Sequence, residues 1–405
     1  MMKRLPVNAN EVGLFLAVVL VVLLAAWMDS NHTYYHSPGQ SALEIARQTS
    51  LLGIFALGAA VVIISGGIDL SAGSMIAFSS TNCACILVCI THEAPIGTSE
   101  PLPLWAMGVA IGGTILIAVL VGTLHAWLIT SVGLPPFIAT LASLVGLRSM
   151  ARATIDYVTQ TQLKLSSGTT QIDIFDERFR YLAKSVWIPV VLFLVLAALI
   201  WLLLSRTVVG RHIYALGGNE QAARLSGIRT ENVKWLAYCI SAVTASIAGI
   251  LYFCEESVAA PQTQGMGFEL NAIAAAVVGG CSLRGGVGTV LGTVMGTLFL
   301  RTVIDSVSKV IKRSADMYEG LIVGLVVIVV VAFGQFRVAI TQGKPLFAGT
   351  RGIVAIVTLA LLLAGVITVM ADRQFAHQAG IVVGILALVA LSALKAWEVR
   401  RQSRG

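Results

Sequence analysis

Apolar residues run along this chain in long unbroken stretches, with few polar positions between them. Stretches at about 11–28, 49–65, 71–91, 104–130, 136–153, 186–204, 235–253, 269–283, 287–304 and 318–333 each approach the length of a membrane-crossing helix. Such a helix needs about 20 mostly apolar residues. Two further stretches follow, at 353–370 and 381–397. The apolar residues are continuous and do not alternate with polar ones, so helices are predicted rather than a barrel. The expected fold is an all-α membrane protein with about ten core transmembrane helices, some of them broken, and two extra C-terminal helices.

Composition agrees. The 405 residues are 57% hydrophobic and 12% charged. An ordinary globular domain is about a quarter charged, so most of this surface must face lipid. The net charge of +7 does not point to nucleic acid. Basic residues of membrane proteins gather in cytoplasmic loops. Placing the N-terminus inside puts slightly more Lys and Arg on the cytoplasmic side, and the stretches 92–103 and 255–267 carry none, as expected outside. The first apolar stretch shows no small-residue cleavage site and reads as a retained helix. The six cysteines lie in or beside apolar stretches without metal-ligand spacing.

The longest hydrophilic stretches are 29–47 and 154–185 on one side and 205–234 on the other. An internal echo links two of the apolar breaks. Gly66-Gly67-Ile68-Asp69-Leu70-Ser71-Ala72-Gly73 and Gly279-Gly280-Cys281-Ser282-Leu283-Arg284-Gly285-Gly286 share the pattern G-G-x-x-L-x-x-G. Paired glycine-interrupted segments point to a two-fold internal repeat with broken helices along a solute path. Counting every apolar stretch as a crossing makes the copies parallel, whereas one re-entrant segment would invert them.

Three motifs bear on mechanism. In the first, Gly66 and Gly67 weaken a helix and Asp69 or Ser71 can cap the next one, with Gly73 and Ser74 in its first turn. A capping role alone and a place on the solute path both fit. In the second, Asn219 suits an N-cap and Gly227 a C-cap, with Glu220 and Arg224 complementing the dipole between them. Glu220 and Arg224 stand four apart and can pair. Ala222, Ala223 and Leu225 supply a small apolar surface. A two-turn helix does not persist alone, so it lies either on its own membrane domain or on a soluble partner. The third runs from Glu269 and Asn271 through Gly279 and Gly280 to Gly292 and Gly296, whose G-x-x-x-G spacing permits close packing within the chain or at a dimer seam.

With these residues in view, the chain resembles the permease subunit of the ribose/xylose/galactose-type ABC sugar importers. The resemblance rests on GGIDLSAGS at 66–74, PPFIATL at 135–141, GRHIYALGGNEQAARLSGI at 210–228, ELNAIAAAVVGGCSLRGGVGTVLGT at 269–293 and EGLIVG at 319–324. It implies a permease domain over 1–336 in the inner (plasma) membrane. The implied partners are a second permease copy, identical or not, cytoplasmic ABC ATPase subunits that bind ATP and Mg, and a periplasmic or lipid-anchored sugar-binding protein. It also implies a translocation path along Gly66, Gly67, Asp69, Ser71, Gly73, Ser74, Glu269, Asn271, Gly279 and Gly280. Gly218, Asn219, Glu220, Ala222, Ala223, Arg224, Leu225 and Gly227 then form the ATPase coupling helix.

Three features depart from that family. Asp305-Ser306 stands where Asn-Gly is expected. Lys309, Lys312 and Arg313 put positive charge on the supposed outer side. Residues 337–405 form an extension. The chain has no G-x-x-x-x-G-K-[ST] loop, so it is not expected to bind ATP itself. It is not expected to be an enzyme or to hold a cofactor, and the cysteine spacing gives no expected metal site. The alternative is a stand-alone secondary transporter, whose ion-coupling acids would have to come from Asp69, Glu269, Asp305 and Glu319. A membrane-embedded enzyme would need clustered acids and histidines, and His125 stands alone in its stretch.

Overall fold

The computed structural model describes residues 9–29, 33–92, 101–310, 320–321, 323–325, 328, 349–370 and 376–402. It is an all-α multi-pass membrane protein. Among the described residues, nine helices are long and apolar enough to cross a membrane. The chain divides into two compact units, residues 1–327 and 328–405.

The first unit holds α1 (Ala9–Met28), α2 (Thr33–His36), α3 (Pro38–Ile64), α4 (Ala72–Thr91), α5 (Leu104–Thr130), α6 (Pro136–Gln162) and α7 (Glu177–Lys184). It continues with α8 (Trp187–Arg206), α9 (Val208–Gly218), α10 (Glu220–Leu225), α11 (Thr230–Glu256), α12 (Phe268–Val278) and α13 (Val290–Val310). Prolines open α3 and α6, where a missing N–H costs nothing. Two short strands, β1 (Ile172–Asp173) and β2 (Val258–Ala259), pair antiparallel between α6 and α7 on one side and α11 and α12 on the other.

Burial sorts the crossing helices into layers. The apolar windows of α3, α4 and α11 are 89%, 83% and 78% buried, against 17% for α1. The central helices are rich in small and hydroxyl residues, such as Ser74, Ser79, Ser80 and Thr81 on α4, all buried. Small side chains let backbones approach where lipid supplies no hydrophobic drive between helices. The peripheral α8 turns Val191, Leu194, Val195, Leu199 and Leu202 outward. Gly122 of α5 lies against the backbone of Cys239 on α11, and Gly249 of α11 against that of Ile76 on α4.

Three of the ten expected core stretches are not among the nine helices found in the described residues. The stretch at 136–153 is a helix, but Arg148 and Arg152 lie within it and it is not among the nine. The stretch at 269–283 yields only the eleven residues of α12, about 16 Å of helix against a hydrocarbon core of about 30 Å. Its glycines end it early. The stretch at 318–333 lies mostly outside the described residues, Glu319 with it. The two extra helices are present in the second unit as α14 (Gly349–Met370) and α15 (Ala376–Gln402). There Gly380 and Gly384 press on Ala364, and Lys395 donates to Gly349 O, so the pair is antiparallel.

Two of the departures from the family pattern compensate each other. Asp305 accepts from Tyr34 at 2.7 Å and from Lys309 at 2.8 Å, and the Lys309 ammonium sits 4.1 Å from the centre of the Tyr34 ring. The acid and the base form one half-buried cluster that ties α13 to α2. Lys312 and Arg313 lie outside the described residues.

Candidate functional site

Both breaks begin with the same local structure. α3 ends in a turn where Gly67 N–H bonds back to Val62 O and Gly66 takes φ +86°. α12 ends in a turn where Cys281 N–H bonds back to Ala276 O and Gly280 takes φ +96°. This is the Schellman arrangement, which needs a left-handed residue and so favours glycine. The structural partner of Gly66 is therefore Gly280, one residue away from the letter-by-letter echo that pairs Gly66 with Gly279. α3 and α12 run the same way into their breaks. Phe55 stacks on Phe268 at one level, and Gly286 N–H donates to Ile64 O at 2.9 Å at the other. The two copies are thus parallel in sense.

The breaks meet at a junction of glycine backbones. A methyl placed on Gly285 would come 2.7 Å from Gly66 Cα. A methyl on Gly217, near the end of α9, would collide with Ile64 O and lie 2.5 Å from Gly286 N. No side chain fits between these three segments. Tyr214, also on α9, donates to Gly288 O at 2.8 Å. One helix thus touches both breaks. Gly67 is enclosed by Val62 and by the Tyr238 hydroxyl. Gly279 packs on Gly292, and Gly296 on Ala275 and Gly279, so the G-x-x-x-G face is used within the chain.

The other predicted path residues lie at a second place, where α4 and α12 begin side by side. Gly73, in the first turn of α4, touches the backbone of Gly265 and the carboxylate of Glu269, in the first turn of α12. Arg148 of α6 clamps the preceding segment by donating to Pro261 O at 2.7 Å and to Gln264 O at 2.9 Å. Two helix N-termini and one carboxylate converge here, an arrangement suited to a polar solute. Asn271 is buried on α12. Ser74 is buried and donates to Ser71 O at 2.8 Å.

Asp69 lies between the two places. Its carboxylate accepts from Ser71 N at 2.8 Å, Ser71 Oγ at 2.6 Å and Ser241 Oγ of α11 at 2.7 Å. It is 3% exposed. Ser71 stands at the N-cap of α4 but makes no side-chain cap bond. The acid fixes the break to α11. His125 and Tyr238 lie close by, with ring centres 6.2 Å apart.

The short helix at 219–227 forms as α10. Asn219 accepts from Ala222 N at 3.0 Å, and Gly227 takes φ +82° as Ile228 N–H bonds back to Ala223 O. Glu220 pairs more closely with Lys234 at 2.6 Å than with Arg224 at 3.8 Å, while Arg224 pairs with Glu231 at 2.9 Å. These bonds tie α10 to the start of α11. The structure divides the small apolar surface. Ala223 is 4% exposed and faces its own chain, whereas Leu225 is 90% exposed. Ala222 is exposed and Gly218 is exposed beside it.

Sequence reasoning did not single out Gly217, Gly265, Arg148, Tyr214 or Ser241. The doubled glycine at 217–218 and the spaced pair at 265 and 267 were the available signals.

Comparison with known proteins adds the following. Residues 41–331 match the family described as branched-chain amino acid transport system / permease component. The ribose import permease protein RbsC of Escherichia coli (strain K12) is 36% identical over 287 residues, covering 70% of this chain and 82% of that protein. The ribose import permease protein RbsC of Bacillus subtilis (strain 168) is 31% identical over 330 residues, covering 82% and 94%. The autoinducer 2 import system permease protein LsrC of Escherichia coli (strain K12 / DH10B) is 30% identical over 344 residues, covering 83% and 90%. No solved structure matches.

Proposed function

We propose that this chain, which belongs to the branched-chain amino acid transport system / permease component family, forms the translocation path of an ATP-driven importer for a monosaccharide-like solute. Family membership makes it a permease component, and its crossing helices make it a multi-pass protein of the inner membrane. The relatives are named for import of ribose and of autoinducer 2, which favours a small polar solute of that kind. ATP and Mg belong on a separate cytoplasmic ATPase. A sugar-binding protein delivers the solute outside, and a second permease copy completes the complex.

The observation that carries this reading is the glycine junction. Gly217 lies against both breaks, and three residues later the chain enters α10. A push received by α10 reaches Ile64 and Gly66 through one contact and Gly285 and Gly286 through another. The residues assigned to the path are Gly66, Gly67, Asp69, Ser71, Gly73, Ser74, Glu269, Asn271, Gly279 and Gly280. On α10 the outward Leu225 and Ala222 receive the ATPase, and Ala223 anchors the helix to its own chain. Asn219, Glu220, Arg224 and Gly227 hold its shape.

Two of the four candidate acids do not favour ion coupling. Asp69 is occupied by two serines and Asp305 by Tyr34 and Lys309. A proton- or sodium-driven carrier needs an intramembrane acid that changes partners.

Leu225→Asp tests the coupling face. Less ATPase is expected to co-purify from detergent, and uptake in proteoliposomes should fall, with insertion unchanged. Ala223→Asp should instead lower the melting temperature of the chain, since it buries a charge against its own core. Equal ATPase recovery and uptake for Leu225→Asp would remove α10 from the coupling role. Gradient-driven uptake by the purified chain alone would remove the importer reading.

A further inference from the structure

α1 turns Phe15, Leu16, Leu20 and Leu23 outward and carries a single charged residue, Glu11. That residue is 6% exposed. A first-turn acid that only complements its own helix dipole needs no burial, and burying a carboxylate is costly unless it is hydrogen-bonded. Glu11 accepts from Thr289 Oγ1 at 3.2 Å. Thr289 closes the break after α12 and is the N-cap of α13, since its hydroxyl also accepts from Gly292 N at 2.9 Å. One carboxylate thus serves two helix N-termini that stand side by side.

The far ends of the same two helices are tied as well. Tyr34 of α2 packs on Ala25 and Ala26 of α1 and bonds to Asp305 and Ser306 of α13. α1 and α13 therefore run parallel and are pinned at both ends. The pin at Glu11 stands next to the contact with α9, because Tyr214 holds Gly288 and Glu11 holds Thr289. A pull on Gly288 must either carry α1 along with α13 or break the bond to Glu11.

We propose that Glu11 is a positioning residue for transport, which locks α1 to α13 so that a displacement arriving from α9 moves the pair as one strut. The source of that displacement rests on the importer reading above. Without the lock, the start of α13 yields alone and α1 stays behind.

The test uses the permease with its ATPase in nanodiscs. Glu11→Ala should accelerate amide exchange at residues 289–293 by about tenfold or more, the scale of a lost hydrogen bond to a charged group. Glu11→Gln keeps an acceptor oxygen for Thr289 and should restore most of the protection. Spin labels at Leu16→Cys on α1 and Leu291→Cys on α13 are each read against Leu120→Cys on α5, with the exposed Cys89 replaced by serine. Both distances should shift together when ATP is added. In Glu11→Ala the Leu291 distance should shift while the Leu16 distance stays, a split that lost stability alone does not produce. Unaltered exchange in Glu11→Ala, or both distances still shifting together, overturns the lock and leaves the importer reading standing. Wild-type distances that ignore ATP overturn both.

Discussion

The break after α3 and the break after α12 open with the same glycine turn but are secured by different means. The first, residues 65–71, is held by a side chain, since Asp69 gathers three donors and one of them belongs to α11. The second, residues 279–289, is held chiefly by backbone groups. Ser282 N–H bonds to Val287 O, Gly285 N–H to Ser282 O, and Gly286 N–H to Ile64 O. Side chains tie it to other helices through Tyr214 OH of α9 to Gly288 O, Thr289 Oγ1 to Glu11 Oε1 of α1 at 3.2 Å, and Cys281 Sγ with Thr293 Oγ1 of α13 at 3.6 Å. The comparison teaches that the first break belongs to the rigid α3–α11 core, while the second leans on the first, on α9 and, through Glu11, on the peripheral α1. A movement of α9 should therefore displace the second break more readily than the first.

The largest effect is expected from Gly217→Ala, which strikes both breaks at once. The methyl meets backbone atoms of Ile64 and Gly286, which have no rotamer to yield. Overpacking of this kind costs about 1–3 kcal/mol and occasionally more. Uptake in the reconstituted complex should drop to background. Wild-type uptake would show that the junction opens freely and would end its role as the common contact.

Asp69→Asn should come next and should touch only the first break. The amide keeps one acceptor oxygen and turns a donor toward groups that are themselves donors. Leaving a buried donor unmet costs about 1–3 kcal/mol. A lower melting temperature in detergent is expected, with Ser241→Ala shifting it the same way by less. If Asp69→Asn melts like wild type, the acid does not secure the break. Gly67→Leu and Gly280→Leu sharpen the same contrast. Leucine at 67 must displace Tyr238 and Val62. Leucine at 280 must hold φ near +96°, a left-handed strain of about 1–2 kcal/mol. Both should abolish uptake while the protein still reaches the membrane, and normal uptake in either would separate that break from transport.

Much of this arrangement was legible in the letters. Apolar length located the crossing helices, and Asn219 and Gly227 marked the ends of α10, because capping is a local matter of one side chain and the next few amides. What was illegible depended on distant partners. The repeat pattern aligned Gly66 with Gly279, yet the left-handed residue of the second turn is Gly280, since α12 runs one residue further into its motif. Gly217 offered only the signal of a doubled glycine, because its constraint comes from the distant Ile64 and Gly286. The inward turn of Ala223 follows from Glu220 and Arg224 bonding to α11, which helical spacing alone does not reveal.

The smallest effect, and the most discriminating, is expected from Tyr214→Phe. The change removes one hydroxyl and keeps the ring, so the half-buried packing of α9 is preserved. Only the bond to Gly288 O is lost, worth about 0.5–1.5 kcal/mol net. Gly286 N–H still holds Ile64 O, so the junction stays assembled and the fold should melt near wild type. The second break, however, loses its Tyr214 side-chain tether to α9. Amide hydrogen exchange across residues 282–289 should accelerate by roughly three- to tenfold, the factor that corresponds to that free energy when opening is local. Exchange at residues 66–71 should not change, because Asp69 and Ser241 are untouched. Uptake should fall modestly with ATPase recovery unaltered. Acceleration at both breaks would show them to be one cooperative unit, and acceleration at neither would show that α9 does not hold the second break through Tyr214.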